Sequence, residues 1–244
     1  MENLPRAIGE SLMVLERLGE PLDPNLIDYQ MVRDELVKQK SYFTEDRKRI
    51  FLSLHRMTDC DKLRAMATMS SLVLYYHSLG SVVKGAFIAC RMVELSTSYG
   101  QCEDTVFGAA CLAASLTGIM DDIDEGSVWG RMALSLMRSH YTDHLIPSIY
   151  SVVYGVVLFW KDPIQSTVDQ LLKACQIAFS TGNIEFAIPN TIYYVARSFN
   201  AGKNIDVLLA EVQALARQHV CMNTLVLRCF PCYCFEVSVS SFFI

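Results

Sequence analysis

The sequence predicts an all-α fold in which antiparallel helix hairpins repeat along the chain and stack as an α-solenoid, ending in an irregular C-terminal tail. Three observations carry this prediction. Apolar residues recur with the 3.6-residue helical period, as at Val168, Leu171, Leu172, Cys175, Ala178 and Phe179. Short turns, several of them holding a glycine, separate the periodic runs. Arg91-Met92-Val93-Glu94-Leu95 and Arg131-Met132-Ala133-Leu134-Ser135 stand forty positions apart, and Gly19, Gly100 and Gly182 are spaced by 81 and 82, about two such intervals. Each repeat is then a helix–turn–helix of roughly forty residues, and such hairpins stack because one alone cannot bury its apolar face. A globular bundle of the same helices is the alternative architecture.

Taken in order, helices are expected over 4–18, 25–41, 44–54, 60–78, 82–99, 103–120, 125–140, 144–160, 164–181, 184–200 and 204–220. The polar segment 41–49 and the turn Met57-Thr58-Asp59 form the weakest joint, with Thr58 or Asp59 capping the helix that follows. Asp121 to Gly126 is an acidic turn that places negative charge at the next helix N-terminus. The apolar run Leu145 to Trp160 is shorter than the roughly 18–20 residues a bilayer requires. It also contains Pro147 and Gly155 and stops at Lys161-Asp162-Pro163, so a buried helix is expected there and not a membrane span.

Pro163 opens the following helix and Gly182 closes it in the left-handed conformation. Ser180 to Asn183 is then a tight turn, with the Asn183 side chain capping the next helix. That helix carries Ile184, Ala187, Ile188, Ile192, Val195, Ala196 and Phe199 on one face. Ala187 permits close approach of its neighbour, Pro189 is expected to kink the helix near its start, and Ala201-Gly202-Lys203 ends it. From Thr224 the period is lost. Residues 1–223 therefore read as the helical region and 224–244 as a cysteine-rich hydrophobic tail, an out-of-frame or intron-derived ending. Two other readings of the tail are a zinc site on Cys229, Cys232 and Cys234 with Cys221 or His219, and a membrane anchor interrupted by Arg228, Pro231 and Glu236.

The composition narrows the function classes. The chain of 244 residues is 52% hydrophobic and carries 21 basic against 26 acidic residues, a net charge of −5. The charges are scattered, so no basic stripe exists to neutralise phosphates or to hold an anionic membrane, and nucleic acid is excluded as the expected partner. Cys60, Cys90, Cys102, Cys111, Cys175 and Cys221 stand singly and read as small hydrophobes in a reducing compartment. The stretch MENLPRAIGE has acidic residues and no apolar core of a signal peptide, which points to a cytoplasmic protein.

Three stretches, LSLHRMTDCDKLRAMATMSSL (52–72), YGQCEDTVFGAACLAASLTGIMDDIDEGSVWGRMALSLM (99–137) and FWKDPIQSTVDQLLKACQIAFSTGNIEFA (159–187), carry a resemblance. Together with the turn at 57–59, the acidic turn before Trp129-Gly130, Trp160-Lys161 and Ser180 to Glu185, they resemble the TPR-like helical region of large signalling proteins. In that family a Ser/Thr kinase-like domain and an AAA/STAND-type ATPase precede this region, and a GAF domain and a histidine kinase follow it. The resemblance covers about residues 4–220 and implies a non-catalytic regulatory module, a fragment or relic of such a protein, that contacts the missing domains or a signalling partner.

No catalytic signature accompanies the helical grammar. Gly80-Ser81-Val82-Val83-Lys84-Gly85 places its lysine wrongly for a phosphate-binding loop, and Ala86 follows it. Leu54-His55-Arg56-Met57 has methionine where a kinase catalytic loop has aspartate. Counted from Asp121 or from Met120, the acidic turn brings Met132 or Arg131 to the position where a calcium loop needs glutamate. His140 and His144 have the spacing of a zinc pair but no evident third ligand, so neither a metal nor a cofactor is expected. A second reading makes the chain a small helical enzyme or ligand-binding protein with a pocket between helices, using His140, His144 and the acidic turn. Tyr193, Tyr194 and Arg197 are the candidate interaction patch, an aromatic–cationic surface in a solenoid groove. The alternative is that these aromatics pack between repeats.

Overall fold

The computed structural model describes residues 3–140 and 143–222, and the tail with Cys229, Cys232 and Cys234 lies outside the described residues. The described chain is all-helical, with eleven α-helices among the described residues. The chain divides into two compact units, Met1–His140 and Tyr141–Ile244, so the division falls within the expected helical region and not at the 41–59 joint.

The first unit contains α1 (Leu4–Arg17), α2 (Tyr29–Tyr42), α3 (Glu45–Leu52), α4 (Cys60–Ser78), α5 (Val82–Tyr99), α6 (Glu103–Ile119) and α7 (Ile123–His140). The second helix starts later than the expected residue 25, because the Asp28 side chain accepts from the Met31 N–H at 2.7 Å and sets the N-terminus there. Asp59 caps α4 as expected, accepting from the Asp61 and Lys62 N–H groups at 2.9 and 3.1 Å.

The core of this unit is built on α6, which is buried nearly all round and packs on α7, α5, α4 and α2. Its small residues permit this. A methyl group at Gly108 would come within 2.9 Å of the Met92 Cβ, and one at Gly126 in α7 would overlap the Thr117 hydroxyl. Pairing is not only between neighbours in sequence: α1 packs on α4, α2 on α5, and α3 on α7. The turn after α3 is tied to the turn before α6 by an isolated parallel bridge between Arg56 and Gln101. Gln101 N–H donates to the His55 carbonyl at 2.8 Å and Met57 N–H to the Gln101 carbonyl at 2.7 Å.

The second unit contains α8 (Ile146–Val152), α9 (Ile164–Thr181), α10 (Ile184–Asn200) and α11 (Ile205–Met222). The expected single helix over 144–160 is a composite: a 3₁₀ turn at Asp143–Leu145, α8, a π-turn at Val153–Val157 and a second 3₁₀ turn at Leu158–Trp160. Asp143–Trp160 is the one segment among the described residues long and apolar enough to cross a bilayer, and 56% of it is buried within the structure.

At the end of α9, Gly182 adopts φ 71°, and Asn183 N–H reaches the Ala178 carbonyl at 2.8 Å, the expected left-handed closure. The Asn183 side chain makes no cap bond to α10, so that expectation is corrected: its backbone, at φ −80° and ψ 71°, departs from the extended conformation in which an N-cap side chain reaches the first turn. Ala187 is fully buried, and α10 runs on through Pro189. Leu171 and Cys175 of α9, Tyr194 of α10, and Leu208 and Leu215 of α11 form the core.

Candidate functional site

The proposed patch is not one surface. Tyr194 is fully buried, and its hydroxyl donates to Glu211 at 2.7 Å and accepts from Lys203 at 2.9 Å. Lys203 in turn pairs with Glu211 at 2.7 Å, which joins the start of α11 to α10. Residues adjacent in a helix point about 100° apart, so Tyr193 leaves the side that Tyr194 buries, and Arg197, four residues from one and three from the other, turns to the side of Tyr193. That face meets the π-turn. The Tyr193 ring lies where a side chain on Gly155 would sit, and Arg197 Nη2 donates to the Gly155 carbonyl at 3.0 Å. The Arg197 guanidinium carbon lies 3.4 Å from the Phe159 ring centroid. Burial lowers the Arg197 pKa from its ordinary value, and its Nε is buried with no acceptor.

A cleft of about 330 Å³ in the first unit lies between α2 and α5, lined by residues that include Lys38, Gln39, Arg91, Glu94 and Thr97. Its charges belong to a chain of ion pairs. Lys62 and Arg91 donate to the buried Glu20 at 2.7 and 3.0 Å, Arg91 to Glu94 at 2.8 Å, and Lys38 to Glu94 at 3.0 Å and Glu35 at 3.1 Å. Burial disfavours charge on Glu94, but its bonds from Lys38 and Arg91 outweigh this and lower its pKa. Bonds to Glu94 and Glu35 raise the Lys38 pKa, and the bond to Glu20 raises that of Lys62. Three cations and three carboxylates balance, and the network joins the loop after α1 to α2, α4 and α5. It acts as a clamp between elements, and a charged ligand entering the cleft would have to displace these partners.

The acidic turn is likewise committed to structure. Asp122 accepts from Lys40 at 2.5 Å and from the Glu125 N–H at 3.1 Å, capping α7. Glu125 accepts from Lys48 at 2.7 Å and from the Trp129 indole N–H at 3.1 Å. Beneath them Phe43, Phe51 and Trp129 meet edge to face with centroids 4.9–5.6 Å apart. Among the described residues no group of three metal-ligating side chains occurs. His144 sits exposed in a 3₁₀ turn, outside the helix that ends at His140, and the His140 side chain lies outside the described residues. Lys84 rests over the Tyr76 ring at 5.6 Å inside a helical segment, and Met57 is buried.

Compared with family models, with curated proteins and with solved structures, the chain matches none.

Proposed function

We propose that this protein is a non-catalytic helical-repeat module that regulates by binding another protein, its hairpins stacked as TPR-like repeats. The observation that carries the reading is a register. Four helices, α5, α7, α9 and α11, begin at Val82, Ile123, Ile164 and Ile205. Each start follows the last by 41 residues. The residues just before them, Ser81, Asp122, Pro163 and Asn204, hold the same place in the interval. Gly80 and Asp121, one interval apart, both take positive φ, at 70° and 55°. A period of this length, kept in the start of four helices, supports a repeat whose units are helix hairpins.

Repeats of this kind work through extended surfaces, and the resemblance to the region between the ATPase and the GAF and histidine-kinase parts of signalling proteins supplies a class of partner. On this reading the protein acts in the cytoplasm, on protein, and not on nucleic acid or membrane. The test presents isolated STAND-type ATPase, GAF and histidine-kinase domains to the immobilised full chain. Saturable binding to one of them, with crosslinks on helix faces, is the expected result. Turnover of nucleotide or another small substrate by the chain alone, abolished by a single side-chain substitution, would overturn the reading.

A further inference from the structure

The second unit presents an aromatic and cationic surface that differs from the one the sequence suggests. The 3₁₀ turn Leu158–Trp160 sets the Phe159 and Trp160 rings 4.5 Å apart at 36°, and Trp160 is 47% exposed. Phe159 also carries the Arg197 guanidinium. The π-turn makes this possible, because Gly155 leaves room for Tyr193 and offers its carbonyl to Arg197 Nη2.

Arg197 is therefore held by a stack on one ring and by one carbonyl, and among the described residues no carboxylate pairs with it. A half-buried guanidinium without a counter-ion costs stability, and one already fixed in place loses little entropy when an anion arrives. Trp and Arg are also the side chains that most often dominate the binding energy of interfaces.

We propose that Trp160, Phe159 and Arg197 form a docking site for an acidic peptide segment, in which a carboxylate meets the Arg197 guanidinium and a neighbouring large apolar side chain covers Trp160. The site rests on the interaction reading above and gives it a location and a partner chemistry. Charge complementarity decides for a carboxylate, and the exposed indole across the Phe159 ring from Arg197 decides for a peptide with an apolar neighbour over a free anion.

The test immobilises the full chain and selects from a displayed library of random heptapeptides. The selected sequences should carry Asp or Glu within two positions of an aromatic or large aliphatic residue. A synthetic peptide from that set should lose at least about tenfold in affinity with Trp160→Ala and with Arg197→Met. Arg197→Met also removes the bond to Gly155, so Trp160→Ala, at an exposed position, is the variant that must act with the melting temperature unchanged. Iodide quenching of Trp160 should fall when the peptide binds. Failure to select any peptide, selection of peptides without a carboxylate, or undiminished affinity in the two variants overturns the site. Binding of a STAND-type, GAF or kinase domain that survives both substitutions would overturn it too, while leaving the interaction reading in place.

Discussion

Glu20 lies in the loop after α1 with its side chain 5% exposed, whereas Lys38, at the far end of the same run of ion pairs, is 65% exposed. The two should respond very differently to loss of charge. Glu20→Gln leaves Lys62 and Arg91 facing an uncharged amide at a buried position and is expected to cost about 2–3 kcal/mol, while Lys38→Met should cost less than about 1 kcal/mol. Urea denaturation of the two variants checks this, and equal midpoints would show that the clamp has no buried end. His77 offers a second measurement. Burial lowers its pKa from 6.5 in α4, where its ring would stand 3.2 Å from a methyl group added at Gly85. A group whose folded pKa is depressed binds fewer protons folded than unfolded, so stability is full above 6.5 and falls as pH drops through the window below it. His77→Leu should flatten the fall between about pH 7 and pH 5.5; identical slopes would assign it to other groups. At this scale the sequence was least informative. Nothing local marks Glu20, whose partners lie 42 and 71 residues away. Helical geometry alone sends Tyr193 and its neighbour Tyr194 to different sides, a division that grouping the two with Arg197 as one patch passes over.

Turns decide how the elements join, and two of them make opposite predictions. Gly182 has φ 71°, and a methyl group added there would meet nothing within 4 Å, so Gly182→Val should cost roughly 1–2 kcal/mol through backbone strain alone. Asp121 has φ 55° at the place where Gly80 stands one interval earlier, so Asp121→Gly should relieve strain and stabilise by roughly 0.5–1 kcal/mol. Thermal melts of both variants test the assignment; a stabilising Gly182→Val, or an Asp121→Gly that destabilises, would show that side-chain contacts govern these turns. The helices themselves were legible because their period and punctuation are local: glycine at Gly19, Gly100 and Gly182 and the cap at Asp59 all stand where the sequence placed them. The break in 144–160 was not. Gly155 lies inside the apolar run, but what opens the π-turn around it is set against Tyr193 and Arg197 of α10, about forty residues on, and local periodicity carries no trace of that contact.

For the whole molecule, the 41-residue register reaches its last described member in α11. That helix buries Leu208 and Leu215 against α9 and α10, while Ile205 and Leu209 are 66% and 54% exposed. The buried side already anchors α11, and the Lys203–Glu211 pair with its bonds to Tyr194 fixes the start of the helix. The described core of this unit is built from residues before 223, and the sequence of 224–244 loses the helical period. A chain shortened to end at Asn223 is expected to keep the melting temperature of the full chain, and its helical circular dichroism per molecule should be no lower. It should also be at least as soluble, because the removed segment is apolar and carries only two charged residues, Arg228 and Glu236. A drop in melting temperature on shortening would instead make the tail a cover for Ile205 and Leu209. A rise in the full chain's melting temperature with zinc, lost on substituting Cys229, Cys232 and Cys234, would make it a metal-held element.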